Sequence, residues 1–365
     1  MALTSALILT AGFGEGHNAA ARNTAEALRA RNPGARIEVH DVFLEAYGWV
    51  NLLVRDAYLA AINHTPSLWK LVFGLLDKTS VLGGGIGIFG RAARHLDRLI
   101  RDMSPEVIVL TYPGYGHLLE HLSSRGSVHG AKVMVVVTDS LSINSAWYRP
   151  PSDLLLVANR ETADVIARAG ISPGRIRVTG FPVPAAFRQP LDRADGPPWE
   201  VLYMVNSAHH RAPEIVKALL GVSGIRLTVT AGRDEKLASA VRDLSARMGI
   251  PVSVFGWTPQ IGELLRRSHI LISKAGGATV QEALAARTPM IITQIVPGQE
   301  EGNATLMMDC GAGEFAGTAG TIAAAVAGMT FGGGALYRRR RDAAAAISRP
   351  DAAEAVAECI EEIIR

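Results

Sequence analysis

The sequence predicts an α/β protein made of two doubly wound, Rossmann-like domains. Short apolar runs alternate with segments of helical composition along the whole chain, which is the pattern of parallel sheets covered by helices. The 365 residues exceed the roughly 250–300 residues at which a single core stops growing, so two cores are expected. Residues 181–198 contain five prolines and little periodicity, which is typical of a connection between domains. We therefore place the first domain at 1–185, a linker at 186–198 and the second domain at 199–365.

The first strand leads into a glycine loop. Residues 6–10 are apolar and run into a loop with Gly14, Gly16 and His17, and an alanine-rich helix follows at 19–31. The loop departs from the dinucleotide fingerprint G-x-G-x-x-G at the third glycine, so by itself it does not predict a dehydrogenase. His17 is either a histidine that hydrogen-bonds the turn at the helix start or an acid–base group, since histidine titrates near neutral pH.

A long apolar segment follows the second strand. Residues 43–100 have helical composition and many aromatic and leucine side chains, whereas a crossover between parallel strands needs only about a dozen residues. The segment is either a helical subdomain packed on the sheet or a surface that faces a bilayer or an apolar acceptor. Its glycine-rich part at 83–90 suits a mobile lip. Its basic residues suit anionic lipid headgroups; they include Arg55, Lys70, Lys78, Arg91 and Arg94.

Two further strands of the first domain end in polar side chains. Residues 107–111 lead to Tyr112, and residues 132–137 lead to Asp139. Because the carboxyl ends of parallel strands lie on one edge of a sheet, we expect both side chains on the same edge as the His17 loop. Asp139 either caps a helix or forms a turn, or it is a catalytic or acceptor-orienting carboxylate.

The second domain contains two turns suited to a nucleotide-sugar. A short strand at 271–273 ends in the turn 274–277, and a segment of helical composition follows with Glu282 in its second turn. A glycine turn before a helix lets a phosphate approach backbone N–H groups at the positive end of the helix dipole, so the expected ligand is a diphosphate. The next strand, at 290–295, ends in the polar run 297–303.

Composition excludes several classes of function. The net charge of +3 and the lack of a zinc-finger or aromatic RNA-binding motif argue against nucleic acid as a partner. The two cysteines, Cys310 and Cys359, suit neither a disulfide framework nor a metal site, which favours a reducing cytoplasm. We expect no metal, because the adjacent His209 and His210 point apart and have no third ligand nearby.

Any membrane contact is expected to be peripheral. The N-terminal apolar run stops at the glycine loop and lacks a basic flank, so it predicts a strand rather than a signal peptide. We expect no apolar stretch to provide the roughly 18–20 residues of a spanning helix. The four arginines at 338–341 are either a solvated helix face or a docking site for anionic lipid.

Segments in both domains carry a family resemblance. They are FGEGHNAAARNTAEAL at 13–28, VVVTDS at 135–140, VTGFPV at 178–183, and KAGGATVQEALAARTPMI with PGQEEGNA at 274–304. With them the chain resembles the family 28 glycosyltransferases, and most of all the diacylglycerol glycosyltransferases of the monogalactosyldiacylglycerol synthase type. The resemblance implies the GT-B fold, in which two Rossmann-like domains face a central cleft, and a UDP-sugar as donor.

The resemblance also implies the roles of individual residues. In the second domain, Phe255, Gly256 and Trp257 would contact uracil, and Gly276, Gly277 and Thr279 would bind the phosphates. Glu282 would bind the ribose. Gln299 and Glu300 would bind the sugar, with Asn303 supporting their loop. In the first domain, His17 would face the reacting centre with Asp139 as its partner or as a base. Gly14, Gly16 and Tyr112 would form the acceptor-side loop.

The function implied is that of an inverting glycosyltransferase. It would move a hexose from UDP-glucose or UDP-galactose to diacylglycerol or another membrane lipid. It would work at an anionic surface on the inner face of the cell membrane, with no cofactor besides its co-substrate. The alternatives are a UDP-sugar enzyme with a non-lipid acceptor, a UDP-sugar epimerase, a dinucleotide oxidoreductase with Asp41 as its acid, and a lipid-binding protein without catalysis.

Overall fold

The computed structural model describes residues 3–51, 53, 89–126, 128, 130–141, 143–189, 193–206, 209–296 and 300–365. These residues form two compact units, each built on a six-stranded parallel sheet. The described residues of the first unit lie within 1–185 and 351–365, and those of the second within 186–296 and 300–350. The prediction of two doubly wound α/β domains is confirmed.

The first sheet forms from short apolar runs that are buried on both faces, as in other parallel sheets. Its strands are β1 (Ser5–Leu9), β2 (Arg36–His40), β3 (Val107–Leu110), β4 (Lys132–Val136), β5 (Leu154–Val157) and β6 (Ile176–Val178), in the order β2-β1-β3-β4-β5-β6. β1 pairs with both β2 and β3, so the strand order reverses between β1 and β3. Open α/β sheets bind ligands at such a switch point, beyond the carboxyl ends of the strands.

The described residues up to 185 form five α-helices. They are α1 (Glu15–Arg31), α2 (Val42–Tyr47), α3 (Gly90–Met103), α4 (Gly114–Ser123) and α5 (Arg160–Arg168). Of the predicted apolar insert, only the two ends are described, and their Phe43 and Leu96 are buried in the core of the unit. Residues 52 and 54–88, with Arg55, Lys70, Lys78 and nearly all of the predicted lip, lie outside the described residues. Arg91 and Arg94 are exposed on α3.

The second sheet has the same design. Its strands are β7 (Trp199–Met204), β8 (Ile225–Thr230), β9 (Val252–Phe255), β10 (Ile270–Ser273), β11 (Met290–Ile292) and β12 (Gly313–Phe315), in the order β12-β11-β10-β7-β8-β9. Its helices are α6 (Ala212–Leu220), α7 (Glu235–Met248), α8 (Ile261–Arg267), α9 (Gly277–Ala285), α10 (Glu301–Asp309) and α11 (Ala319–Ile347). The strand order reverses between β7 and β10, so the turn between β10 and α9 lies at the switch point.

The last helix, α12 (Ala352–Ile363), belongs to the first unit, whereas the predicted second domain includes residues 351–365. It packs on α1, and its Ile360 is fully buried. Arg31, at the end of α1, donates two hydrogen bonds to Glu361, at 3.0 and 2.9 Å, and one to Glu358 at 3.2 Å. α12 is therefore held to the first unit in two ways. Its apolar face packs on α1, and its carboxylates bond the guanidinium of Arg31.

The middle of α11 has an irregular backbone. Helical dihedral angles stop at Phe331, and the next three residues, Gly332, Gly333 and Gly334, have left-handed φ values of 60°, 72° and 82°. Only glycine adopts this conformation readily, and three in succession end one helical run and start another. A Cβ atom on Gly334 would overlap the Trp199 ring, so this turn requires glycine for packing as well.

Within the described ranges, one 18-residue window in the stretch 319–363 is apolar enough to cross a membrane by length and composition. This window has a mean hydropathy of 1.4, and 28% of it is buried. The expectation that no stretch is apolar enough is therefore wrong, because the many alanines of this segment raise its hydropathy. Ile322, Val326 and Met329 nevertheless lie in the core of the second unit, as the side chains of a soluble core helix do.

Candidate functional site

His17 lies at the switch point of the first sheet, in the first turn of α1. Its Nδ1 is 2.8 Å from the carbonyl oxygen of Thr111 and 2.9 Å from the hydroxyl of Thr138, which follow β3 and β4. A carbonyl oxygen only accepts hydrogen bonds, so Nδ1 carries the proton of the neutral ring. The lone pair is then on Nε2, which makes no hydrogen bond within the described part of the chain. The neutral His17 ring therefore has its unprotonated nitrogen at Nε2.

Asp139 supplies a negative charge beside this base. Its carboxylate accepts a hydrogen bond from Nε1 of Trp147 at 2.7 Å, and the Trp147 ring centroid lies 6.0 Å from that of His17. Burial lowers the pKa of His17 below its ordinary value of 6.5, and the charge of Asp139 opposes this shift. Burial also raises the pKa of Asp139. The pair therefore holds a neutral imidazole next to a group that stabilises the imidazolium formed on proton transfer.

This arrangement predicts the direction of two titration shifts. His17 should titrate below pH 6.5, because burial disfavours its charged form. Asp139→Asn removes the charge that opposes burial, so the pKa of His17 should fall further. NMR titration of ¹⁵N-histidine-labelled protein measures both values, with the His17 signal assigned by its loss in His17→Gln.

Asp164→Asn is the matched control, because Asp164 is an exposed carboxylate on α5. It should leave the His17 titration unchanged. An unshifted or raised pKa of His17 in Asp139→Asn would contradict the proposed coupling.

The predicted acceptor-side residues lie around His17. The Tyr112 ring meets the His17 ring edge-on, with centroids 5.1 Å apart, and stacks on Phe13 at 5.7 Å. Gly14 immediately precedes α1, Gly16 is in its first turn, and no side chain caps this helix. The structure therefore brings the predicted loop residues together at the carboxyl edge of the first sheet.

Asp41 has a structural role instead of the dinucleotide-binding role of the oxidoreductase alternative. One carboxylate oxygen accepts a hydrogen bond from the backbone N–H of Gly12 at 2.8 Å, and the other accepts one from that of Leu44 at 2.9 Å. Asp41 thus caps α2 and fixes the loop after β1.

The turn at Gly276 lies at the switch point of the second sheet. No side chain caps the N-terminus of α9, so the first backbone N–H groups of this helix are available to a ligand. A Cβ atom on Gly276 would lie 3.6 Å from Nζ of Lys274 and 3.6 Å from the hydroxyl of Thr279. The missing side chain leaves space beside an ammonium group, a hydroxyl and a helix N-terminus, which together suit a diphosphate, with a carboxylate oxygen of Glu300 3.9 Å from the same Cβ position.

Lys274, which was not among the predicted site residues, forms an ion pair with Glu300. Glu300 is only 5% exposed, and its other carboxylate oxygen accepts a hydrogen bond from the backbone N–H of Val296 at 3.0 Å. The first oxygen therefore links the segment before α10 to the glycine turn, and the second holds that segment to Val296. The sugar-binding role of Glu300 stays a prediction, and Gln299 lies outside the described residues.

The other predicted donor-binding residues come before and after this turn in the sequence, and their side chains differ in exposure. Gly277 starts α9, and Glu282 is half-buried on the same helix. Asn303 is buried in α10, and Trp257, just after Phe255 and Gly256 at the end of β9, is 66% exposed. An exposed tryptophan next to a backbone turn suits stacking on a base.

The described residues include no cluster of three His, Cys, Asp or Glu side chains that could hold a metal ion. His209 instead lies with its Nδ1 2.9 Å from a carboxylate oxygen of Asp234, the N-cap of α7.

Two protein-family models match the chain, one in each unit. The monogalactosyldiacylglycerol (MGDG) synthase model matches residues 17–183, and the glycosyltransferase family 28 C-terminal domain matches residues 208–315. The first match begins at His17 and includes Asp139, and the second includes the Gly276 turn.

Known proteins are similar over most of the chain. A processive diacylglycerol beta-glucosyltransferase of Bacillus licheniformis is 26% identical over 319 residues, which cover 84% of this chain and 81% of the relative. A probable monogalactosyldiacylglycerol synthase 3, chloroplastic, of Oryza sativa subsp. japonica is 25% identical over 380 residues, which cover 98% of this chain and 74% of the relative. The crystal structure of Acinetobacter baumannii MurG has a TM-score of 0.65 at 14% identity and covers 98% of this chain and 99% of that chain, which shows a shared fold.

Proposed function

Because the chain belongs to the family 28 glycosyltransferases of the monogalactosyldiacylglycerol synthase type, we propose that it transfers a hexose from a UDP-sugar to a lipid hydroxyl. The acceptor is diacylglycerol or a related membrane lipid, the class on which the named relatives act. The observation that carries the proposal is the His17 tautomer. A base fixed at Nδ1 and open at Nε2 is what activation of a hydroxyl requires.

In the proposed reaction, the first unit supplies the base and the second unit binds the donor. The acceptor oxygen forms a bond to the anomeric carbon on the face opposite UDP, and the hydroxyl proton moves to Nε2 of His17. The bond between that carbon and the β-phosphate oxygen breaks, and UDP leaves with the electron pair. Asp139 stabilises the imidazolium, and the Gly276 turn with Lys274 stabilises the charge that develops on the diphosphate.

The donor, the surface and the location are parts of the same proposal. UDP-glucose and UDP-galactose both fit it, because the polar residues in the run 297–303 provide hydroxyl-binding groups to either sugar. The enzyme works from the cytoplasm, peripherally on the anionic inner face of the cell membrane, and needs no cofactor. Backbone N–H groups and an ammonium bind the phosphates, so no step requires a metal.

Glu282→Ala should weaken UDP binding by roughly 1–3 kcal/mol, the cost of losing a charged hydrogen-bond partner. The physical reason is that one carboxylate can accept hydrogen bonds from both ribose hydroxyls. Calorimetric titration with UDP measures the change. Glu263→Ala, which removes a half-exposed glutamate of α8, should bind UDP normally, and equal affinities of the two variants would remove Glu282 from the donor site.

The function is tested by UDP release from UDP-glucose and from UDP-galactose on vesicles with and without diacylglycerol. Release that requires diacylglycerol supports the proposal and identifies the sugar. Release that requires a soluble acceptor indicates a transferase with a non-lipid substrate. Interconversion of the UDP-sugar without release indicates the epimerase alternative, and NAD binding without UDP binding contradicts the donor assignment.

A further inference from the structure

We propose that the second unit inserts a wedge into the headgroup region of an anionic membrane. The wedge consists of residues 331–334, which we name the Phe331 tip, and the neighbouring Arg338 and Arg339. The inference rests on the proposed function in one respect, namely that the acceptor is a membrane lipid. Its structural evidence lies apart from His17 and from the Gly276 turn.

The exposure of the tip is built into the fold. Phe331 is 83% exposed, although most large apolar side chains of the second unit lie inside its core. The left-handed glycines at 332–334 fix the direction of the chain here, and the contact of Gly334 with Trp199 holds the inner side of the turn. Phe331 therefore stays exposed to solvent because of a turn whose backbone conformation favours glycine.

The surface around the tip has the composition of a membrane interface. Residues 319–337 contain no charged side chain. The residues of α11 that are exposed before the tip are small or weakly polar, namely Gly320, Thr321, Ala324, Ala327 and Gly328. No desolvated charge would oppose the approach of headgroups to Phe331.

The four arginines after the tip separate into two pairs. Arg340 pairs with Glu314, and Arg341 pairs with Asp195 and Asp342, so these two are neutralised within the second unit. Arg338 and Arg339 form no ion pair in the described part of the chain. Arg338 donates to the carbonyl oxygen of Gly333 at 2.7 Å, and Arg339 is exposed.

An anionic bilayer explains this combination better than a protein partner does. A stable protein interface buries about 1,200–2,000 Å² and has an apolar core, whereas this surface offers one large apolar side chain among alanines and glycines. An aromatic ring beside two guanidinium groups that form no ion pair among the described residues matches the two contributions to peripheral binding, which are shallow insertion and attraction to anionic lipid.

Phe331→Ser should weaken binding to vesicles of phosphatidylcholine and phosphatidylglycerol by roughly fivefold to tenfold, since one aromatic side chain no longer enters the interface. Arg339→Gln should weaken binding to the same vesicles roughly fivefold and leave binding to pure phosphatidylcholine unchanged. Phe331→Trp should bind as tightly as the natural chain or more tightly. Sedimentation of the full chain with vesicles, without any UDP-sugar, measures all three.

Two variants serve as matched controls. Phe315→Ser removes a phenylalanine that is 53% exposed at the sheet edge, and Arg242→Gln removes an exposed arginine of α7. Both should bind vesicles normally. Equal losses in Phe315→Ser and Phe331→Ser would overturn the inference, as would a change of oligomeric state caused by Phe331→Ser in lipid-free buffer, which would indicate a second copy as the occupant.

The failures of the two proposals can be told apart. Calorimetric binding of UDP should be the same in Phe331→Ser and in the natural chain, because the tip takes no part in the donor site. Vesicle binding that is insensitive to Phe331 overturns the wedge even if UDP release still depends on diacylglycerol. Vesicle binding that is lost in Phe331→Ser supports the wedge even if no sugar is transferred.

Discussion

His17→Gln is expected to lower kcat for UDP release by roughly 10²- to 10⁴-fold, the usual contribution of a general base. Glutamine can still donate a hydrogen bond to the carbonyl oxygen of Thr111, so the loop after β1 keeps its conformation, but an amide cannot take the acceptor proton. Calorimetric binding of UDP should be unchanged, because the donor contacts belong to the second unit. Steady-state release on vesicles that contain diacylglycerol measures the loss.

His121→Gln is the control for this substitution, since His121 lies in the last turn of α4 and not in a segment that directly follows a strand. It should retain the full rate. If His17→Gln keeps its rate within about tenfold, the base must be another group, because a loss this small falls below the range of general-base catalysis.

Gly276→Ala is expected to weaken UDP binding by about 10- to 100-fold, or roughly 1.4–2.8 kcal/mol. The φ of Gly276 is −65°, a value that alanine adopts without strain, and its Cβ would make only ordinary contacts with the Lys274 ammonium and the Thr279 hydroxyl. The fold should therefore tolerate the methyl group. The methyl group would nevertheless occupy the space through which a phosphate reaches the start of α9.

Two measurements test this: a calorimetric titration with UDP gives the affinity, and thermal unfolding gives the melting temperature. Gly320→Ala adds the same methyl group in the first turn of α11, where nothing lies within 4 Å of it, and it should change neither affinity nor melting temperature appreciably. Normal UDP binding by a folded Gly276→Ala protein would show that the diphosphate does not approach this turn.

Much of the fold could be predicted because it depends on local patterns. The apolar runs that became β1, β3 and β4 are short and end in polar residues, so their existence and their common edge follow from the sequence. His17, Tyr112 and Asp139 are close together for the same reason, since each lies in the connection that follows the carboxyl end of a strand or in the first turn of the helix after it.

Other features depend on contacts that leave no local signal. The tautomer of His17 is set by a backbone carbonyl at Thr111, and any residue type provides a carbonyl. The ion pair of Lys274 with Glu300 joins two separate turns, so spacing along the chain does not reveal it. The run of alanine and glycine in α11 has helical composition, whereas the break in the helix depends on how Gly334 packs against Trp199.

The position of α12 determines when the first unit can be completed. During translation, α1 leaves the ribosome early, but the helix that covers it comes from residues 351–365, after the whole second unit has been made. The carboxylates that bond Arg31 are therefore synthesised after the second unit. Loss of residues 351–365 would expose the face of α1 that α12 covers, so the first unit cannot complete its fold until α12 has been made.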